Sequence, residues 1–359
     1  MHLLQLNQVE TVFALLYNGI SKTIANNGSS TFNTSGTGIV RVYVLSTSLT
    51  LAPGDIFIRI KYQIGEKYMK FDHKRLLAFL FVFVGYVFAT IIGLIIFSYF
   101  RDLQYHPILA IFLADIGMTI FIYIIGLFVN NASMYDPYWS VIPMLYGLLY
   151  MFGYRDYSIT TILINIVIAL WSLRLTANWM YTFKTIKKQD WRYDYLKEKS
   201  GPFYPVVNLF GIHLIPTLFV FGALLPVLFV FAKAPQFNML MIVGVVISLL
   251  GVLLELVADI QMQRFRNHNN NPRALIRDGL WKYSRHPNYL GEITFWWGLF
   301  AIAIVALPSM WYLVFGPIAM TLMFLVISIP MAEQRYARIK DGFSQYVEET
   351  RMLFPLPKK

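Results

Sequence analysis

The sequence predicts an all-α, polytopic integral membrane protein in which about eight transmembrane helices form a bundle. Hydrophobic residues make up 57% of the 359 positions and charged residues only 14%, a balance typical of proteins whose solvent is the bilayer. Apolar stretches long enough to cross the roughly 30 Å hydrocarbon core recur through most of the chain. Strongly basic loops alternate with loops that contain few Lys or Arg residues, as expected for a protein that crosses a membrane repeatedly.

The first 70 residues do not follow this pattern and are interpreted as a leader of unknown role, followed by a membrane domain over residues 71–359. Residues 26–37 are rich in Asn, Ser, Thr and Gly, which predicts a flexible loop. Residues 1–20 lack a basic start and a clear cleavage site, so they are a weak candidate for a signal peptide. Asn27 and Asn33 begin glycosylation sequons within this leader.

Eight apolar segments are predicted to cross the membrane, at residues 76–99, 107–129, 138–153, 158–177, 205–232, 239–258, 293–307 and 308–331. The fifth segment is long and contains Pro216 and Pro226, and we interpret it as one kinked helix rather than two crossings. Residues 333–347 follow the last segment with an apolar stripe, which predicts an amphipathic helix lying at the membrane interface. The stripe consists of Tyr336, Ile339, Phe343, Tyr346 and Val347.

The distribution of lysine and arginine supports eight crossings. Basic residues concentrate before the first segment and after the fourth, sixth and eighth, so the basic loops all fall on one side. The positive-inside rule predicts that this side, including the C-terminus, is cytoplasmic. It also predicts that Asn131, which begins a third sequon on that side, is unmodified. The net charge of +11 is scattered over these loops, so no nucleic-acid partner is expected.

A polar loop over residues 279–292, directly before the seventh segment, is the most distinctive part of the chain. Pro287 suits the first turn of a helix, which would place Asn288 and Glu292 on one helical face. Arg285 and His286 would then lie at the positive end of the helix dipole, a favourable position for a phosphate group.

The same loop contains aromatic residues, since Tyr283 and Tyr289 flank the Arg-His pair. These rings are suited to stacking on a base or a nicotinamide ring. The alternative interpretation is a basic loop with aromatic residues that merely anchors the chain at the membrane interface.

Two further helical faces carry candidate binding residues. Glu255 and Asp259 lie one turn apart near the cytoplasmic end of the sixth segment; they either bind the ribose or carboxamide of a cofactor or form an ion pair with Arg264 or Arg285. Arg174 and Asn178 share a face of the fourth segment, and Arg192 follows in the next loop. Arginine is suited to phosphate contacts, although membrane anchoring is an equally good interpretation.

Polar residues in the first half of the membrane domain are more ambiguous. Asp136 precedes a proline, a pattern typical of a helix N-cap; alternatively, Asp136 and Tyr138 lie at the mouth of a cavity and take part in catalysis. Asp115 is either a proton donor to substrate or a buried acid bonded to a neighbouring helix, and we favour the second. His213 and Asn208 are interpreted as polar contacts between helices.

The segment Tyr-Ser-Arg-His-Pro-Asn-Tyr-Leu-Gly-Glu at residues 283–292 resembles the signature of the steroid 5-alpha-reductase C-terminal superfamily. It is similar in particular to the uncharacterised branch of membrane reductase-like proteins in that superfamily, whose pattern Tyr-Ser-Arg-His-Pro-Asn-Tyr-x-Gly-Glu is complete here. The resemblance extends over about residues 136–355. It includes residues 136–140, 173–178, 190–193 and 255–259, and the terminal Tyr346, Arg351, Phe354 and Pro355.

The resemblance implies that this is an enzyme with NADPH as its cofactor. Characterised members of the superfamily reduce carbon–carbon double bonds of sterol-like lipids, and their cofactor lies in a cytosol-facing cavity bounded by the C-terminal helices. The cofactor region here would be about residues 171–359, and the catalytic candidates are Asp136, Tyr138 and Tyr289. The cofactor-binding candidates are Arg174, Asn178, Arg192, Glu255, Asp259, Tyr283, Arg285, His286, Asn288, Tyr289, Glu292, Arg335 and Tyr346.

The first functional hypothesis is therefore an NADPH-dependent membrane oxidoreductase acting on a steroid-like or other lipid, in the endoplasmic reticulum or another endomembrane if the source is eukaryotic. An S-adenosylmethionine-dependent methyltransferase of the isoprenylcysteine or phospholipid type is the alternative, because such enzymes share an Arg-His-Pro-x-Tyr-x-Gly core. A non-enzymatic lipid-binding membrane protein is the third possibility. The absence of a Gly-x-Gly-x-x-Gly motif argues that any dinucleotide binds within the helices. No metal ion and no obligate protein partner are expected.

Overall fold

The structure is a computed structural model that describes residues 73–355 and the backbone of two short strands. The strands, β1 (Leu49–Ala52) and β2 (Asp55–Ile58), pair antiparallel with Leu49 opposite Ile58. The chain divides into two compact units, Met1–Leu77 and Ala78–Lys359. The predicted flexible loop at residues 26–37, the sequons at Asn27 and Asn33 and the signal-peptide candidate lie outside the described residues.

Helices dominate the described membrane unit, as the sequence predicted. In chain order the α-helices are α1 (His73–Asp102), α2 (Pro107–Phe128), α3 (Tyr138–Gly153), α4 (Ile159–Thr182), α5 (Trp191–Ser200), α6 (Tyr204–Val207), α7 (Ile215–Lys233), α8 (Met241–His268), α9 (Pro287–Ala306), α10 (Phe315–Met323), α11 (Ile329–Ile339) and α12 (Phe343–Glu349). Short 3-10 segments and two π-helical turns, Asn208–Leu214 and Phe324–Ser328, join some of them.

Seven helical segments in the described part are long and apolar enough to cross a membrane. They are α1, α2, α4, the segment Trp191–Lys233, α8, α9 and the segment Pro308–Ile339. The protein is therefore an integral, multi-pass membrane protein. The remaining predicted segment, residues 138–153, forms α3 with the predicted bounds. Its 16 residues extend only about 24 Å, which is shorter than the hydrocarbon core.

Contacts at the helix ends support α3 as an antiparallel partner of α4. The loop before α3 meets the loop after α4, where the Asp190 amide donates to Ser133 Oγ at 2.8 Å. The ring of Phe79, near the start of α1, packs 5.8 Å from that of Trp179, near the end of α4. The basic loops after α4, between α8 and α9 and after α11 consequently lie at one side of the bundle. We call this side the basic face; its cytoplasmic location stays a prediction.

The long fifth segment is continuous, as predicted. Backbone angles stay helical from α6 through the π-helical turn Asn208–Leu214 into α7. Pro216 lies at the start of α7 and Pro226 lies inside it. A π-helical turn absorbs an irregularity in the hydrogen-bond ladder without ending the helix, so this segment crosses once.

The prediction of one amphipathic helix over residues 333–347 was wrong. The last crossing continues into α11 as far as Ile339, and Gly342 then breaks the helix with a φ of +69°. A left-handed residue of this kind favours glycine and ends a helical run. Of the predicted stripe, Phe343 and Tyr346 are buried on the short helix α12, whereas Ile339 is 40% exposed.

Helices α8 and α9 pack backbone against backbone, which brings Glu255 of α8 close to α9. A Cβ added at Gly251 would lie 2.6 Å from the Gly291 carbonyl, and one added at Gly244 would lie 2.8 Å from the Gly298 carbonyl. A Cβ at Gly291 would also lie 2.4 Å from Glu255 Cγ. Glycines spaced seven residues apart on both helices therefore create the room in which Glu255 sits against α9.

Candidate functional site

Four ionisable side chains from three helices meet inside the bundle. Arg174 Nη2 lies 2.8 Å from Glu255 Oε2 and 3.6 Å from Glu292 Oε2, and Arg174 Nη1 lies 2.9 Å from Asp259 Oδ2. The side chains are 3–5% exposed except for Asp259, which is 14% exposed. We call these four residues the Arg174 cluster. Acids and bases buried at this depth persist only when they are paired.

Two tryptophans complete the surroundings of Glu292. The indole N–H of Trp171 donates to Glu292 Oε2 at 3.0 Å and that of Trp296 donates to Glu292 Oε1 at 2.9 Å. Neither donor was predicted from the sequence. Trp296 lies four positions after Glu292 and Trp171 three positions before Arg174, so helical spacing from each charged residue was a signal that pointed to them.

The cluster alters two expectations about α4 and α8. The predicted ion-pair partners of Glu255 and Asp259, Arg264 and Arg285, were wrong, because Arg174 takes that position. Since three carboxylates surround Arg174, its contacts do not support the phosphate-binding role that the sequence suggested for it. Asn178, one turn further along α4, accepts a hydrogen bond from Gln263 Nε2 at 2.6 Å.

Arg285 and His286 of the motif bind residues of α11 and of the segment after α12. Arg285 Nε and His286 Nε2 lie 2.8 Å and 3.0 Å from Glu333 Oε1. The Arg285 guanidinium also donates to the Thr350 carbonyl, and the His286 amide donates to the Met352 carbonyl at 3.1 Å. Both side chains are buried. Glu333 was not predicted as a site residue, although an acid at the end of a long apolar segment is a recognisable signal.

The remaining motif side chains have different environments. The Tyr289 ring stacks on His286 at 5.3 Å, and its hydroxyl is within electrostatic reach of Arg192, Tyr336, Asp190 and Asp259. Within residues 73–355, no protein hydrogen bond is made by the half-buried Asn288 side chain. Tyr283 is 42% exposed.

A cavity of about 60 Å³ lies on the basic face between α8, the loop that joins α8 to α9, α11 and α12. Its lining combines aromatic rings with cations, and includes Trp281, Tyr336, Tyr346, Arg266, Arg285 and Lys340. Tyr346 closes one side by donating its hydroxyl to the Trp281 carbonyl. This volume is well below the roughly 300–1,000 Å³ of small-molecule sites.

Helix α5 lies along the edge of the same face. Asp190 caps α5 by accepting from the Arg192 amide and also holds Arg192 Nε at 2.8 Å. Arg192 is 45% exposed. From α11, the Arg335 guanidinium lies 4.1 Å from the centre of the Trp191 ring, a cation–π contact that connects α11 to α5.

Asp136 joins the loop before α3 to α5, and the predicted N-cap role was wrong. Helix α3 begins at Tyr138 after Pro137, without a side-chain cap, while Asp136 accepts a hydrogen bond from the Tyr193 hydroxyl. Partial burial raises the pKa of the Asp136 carboxyl to about 6, an effect that Arg192 opposes.

A second polar centre lies deeper, between α2, α3 and α7. Tyr138 donates its hydroxyl to Asp115 Oδ1 at 2.7 Å, so Asp115 is bonded to a neighbouring helix, as we favoured. Beside it, Thr217 Oγ1 lies 2.7 Å from the Tyr135 hydroxyl and 3.0 Å from Thr119 Oγ1. We call these five residues the Asp115 network. Tyr138 is only 1% exposed, which places it inside the bundle instead of at an open mouth.

Two other polar residues, both in the π-helical turn before α7, behave differently from the prediction. His213 Nδ1 bonds to the Asn208 carbonyl at 3.0 Å within the same helical segment. The His213 ring lies 4.7 Å from Tyr135 and 5.4 Å from Tyr123. The contact between helices is therefore made by ring packing, while the polar contact stays local.

A pair of tryptophans lies between the Asp115 network and the Arg174 cluster. Trp139 lines a small cavity of about 10 Å³ together with Asp115, Tyr138 and Tyr146, which is room for about one water molecule. The Trp139 ring lies 6.0 Å from Trp171, whose indole bonds to Glu292. One tryptophan pair thus links the Asp115 network to the Arg174 cluster.

Comparison with known proteins matches this chain to a protein family. Residues 122–350, more than half of the chain, match the family described as a protein of unknown function, DUF1295. An uncharacterized protein of Schizosaccharomyces pombe is 24% identical over 212 residues, which are 52% of this chain and 61% of that protein. The match thus spans about three fifths of that relative's length. No solved structure matches this chain.

Proposed function

We propose that this chain, which belongs to the DUF1295 family of uncharacterised membrane proteins, is a membrane-embedded NADPH-dependent oxidoreductase that reduces a carbon–carbon double bond of a steroid-like or other lipid. The proposal builds on the resemblance of residues 283–292 to the steroid 5-alpha-reductase superfamily. The observation that carries it is the arrangement of charge on the basic face. There the buried acids of the Arg174 cluster lie next to an aromatic cavity that is rimmed by cations.

The residues on this face match the chemistry of a dinucleotide. Arg266 and Lys340 border the aromatic cavity, and Lys340 is within electrostatic reach of Arg266 and Arg335. These three cations are therefore close enough together to bind phosphate groups. Tyr336 and Trp281 offer rings for a base. Tyr289 is within electrostatic reach of Tyr336 on this rim and of Asp259. Tyr289 and its chain neighbour Asn288 are suited to hold a carboxamide or ribose.

If NADPH were bound there, it would provide the hydride for reduction of the lipid. The closed cavity of about 60 Å³ is smaller than a dinucleotide requires, so α12 and the tail have to move aside for binding. The contacts that would be released connect Tyr346 with Trp281 and Arg277 with Glu349.

The Asp115 network supports a role in proton supply. Tyr138 donates its hydroxyl proton to Asp115 Oδ1 at 2.7 Å, beside a small, mostly apolar cavity inside the bundle. A tyrosine backed by an acid in a water-poor site can polarise a carbonyl and deliver a proton. We therefore assign Tyr138 to proton transfer, with Asp115 as its positioning partner.

A methyltransferase is the second candidate, and one observation favours it. The Arg174 cluster holds three carboxylates for one guanidinium, and an excess of negative charge suits the sulfonium cation of S-adenosylmethionine. The three converging cations on the rim favour the phosphates of NADPH instead.

The decisive experiment measures cofactor binding by protein purified in detergent. NADPH, NADH and S-adenosylmethionine are titrated separately while the thermal midpoint is followed. Ligand at 100 times its dissociation constant stabilises by about 2.7 kcal/mol, and we expect this response with NADPH. Arg266→Gln should weaken NADPH binding about tenfold, or roughly 1.4 kcal/mol. Arg338→Gln is the matched control, since Arg338 is exposed and lies outside the cavity lining.

The same assay separates the candidate functions. A shift with S-adenosylmethionine alone would replace the oxidoreductase with the methyltransferase, and no shift with any ligand would favour the non-enzymatic alternative. Tyr138→Phe should retain NADPH binding but lose lipid reduction; loss of binding in this variant would contradict its assignment to proton transfer.

A further inference from the structure

The Arg174 cluster holds more negative than positive charge. One guanidinium faces three carboxylates, of which Glu255 and Glu292 are almost completely buried. The other groups around it are the indoles of Trp171 and Trp296, and Arg266 is within electrostatic reach of Asp259. If all three acids were ionised, two negative charges would stay uncompensated among buried helices, an arrangement that costs several kcal/mol per charge.

The two glutamates are not equivalent. Both oxygens of Glu292 accept indole N–H groups, which favours a carboxylate at this position. Glu255 Oε2 is buried and lies 2.8 Å from Arg174 Nη2, yet no donor reaches it with the geometry of a hydrogen bond. The Glu255 carboxyl is also within hydrogen-bonding reach of Glu292.

We infer that Glu255 binds a proton and donates it in a hydrogen bond to the Glu292 carboxylate. The proton reduces the net charge of the cluster from two negative charges to one. It also gives Glu255 a hydrogen bond while leaving both indole contacts of Glu292 intact. The cluster is therefore a proton-binding site within the membrane bundle, and Asp259, its most exposed member, is its connection to the basic face. This inference stands whether or not NADPH is the cofactor.

Matched glutamine variants test the inference through thermal stability of the purified protein at pH 7. Glutamine reproduces a protonated glutamate, so Glu255→Gln should leave the thermal midpoint within about 2 °C of the wild type. Glu292→Gln has one carbonyl oxygen for two indole donors and should lower the midpoint by several degrees, because a buried donor is left without an acceptor. A loss of stability in Glu255→Gln equal to or greater than that in Glu292→Gln would overturn the inference.

Infrared spectroscopy provides a second, independent measurement. At pH 7 the carbonyl band of a protonated carboxylic acid should be present, shift in D₂O and lose intensity in Glu255→Gln. Asp115→Asn is the control, because it changes the other acid buried in the described bundle without touching the cluster. A carboxylic acid band that is unchanged in Glu255→Gln would overturn the inference, even if the Glu292 variant fails to fold.

Discussion

The Arg174 cluster and the Asp115 network bury acids in two different ways. In the cluster, three carboxylates surround a guanidinium and two indoles satisfy Glu292. In the network, Asp115 accepts a hydrogen bond from the Tyr138 hydroxyl, and the adjacent hydrogen bonds involve only hydroxyl groups. An acid inside a membrane bundle can therefore be held either by compensating charge or by neutral donors. These two solutions respond differently to substitution.

The largest effect is expected where charge compensation is removed. Arg174→Met leaves the acids of the cluster without their cation, and breaking a buried ion pair in this way costs about 3–5 kcal/mol. We expect a large fall in the thermal midpoint or loss of folded protein in size-exclusion chromatography.

The control for this prediction is Arg192→Met, which removes the exposed pair with Asp190 and should cost less than about 1 kcal/mol. Equal stability losses in the two variants would show that the cluster contributes no more than a surface ion pair.

An intermediate effect is expected at Asp136, which lies in the loop before α3 and binds Tyr193 of α5. Because the folded pKa is raised to about 6, the folded state binds more protons than the unfolded state between about pH 4 and 6. The contribution of Asp136 to stability is therefore largest at acidic pH and is lost as the pH rises through 6.

Asp136→Asn removes this titration. The variant should gain on the order of 1 kcal/mol relative to the wild type between pH 4 and pH 7, measured as the difference in thermal midpoint across that range. A pH-independent difference between the two proteins would contradict the raised pKa.

The smallest effect is expected in the Asp115 network. Asparagine keeps an oxygen that accepts the Tyr138 hydroxyl, and no cation in the network loses a partner, so Asp115→Asn should cost less than about 1 kcal/mol. The measurement is again the thermal midpoint in detergent. If this variant were as unstable as Arg174→Met, the distinction between the two centres would be lost.

Much of the architecture was predictable because it depends on local physics. The lengths of the apolar segments and the positions of the basic loops predicted the multi-pass bundle, and residues 73–355 contain seven candidate crossing segments plus the short helix α3. The continuous fifth segment was also predicted. The break at Gly342 was not, because the apolar stripe continues across it and only the backbone conformation shows the end of the helix.

The sequence by itself determined the fold class, the helix faces and the motif at residues 283–292, since helical periodicity fixes which side chains of one helix lie together. Only the tertiary structure decided the partners. Arg174 meets Asp259 across 85 positions and Trp171 meets Glu292 across 121. Such pairs depend on how helices pack, here through the glycines between α8 and α9, and periodicity within one helix holds no information about which other helix it faces.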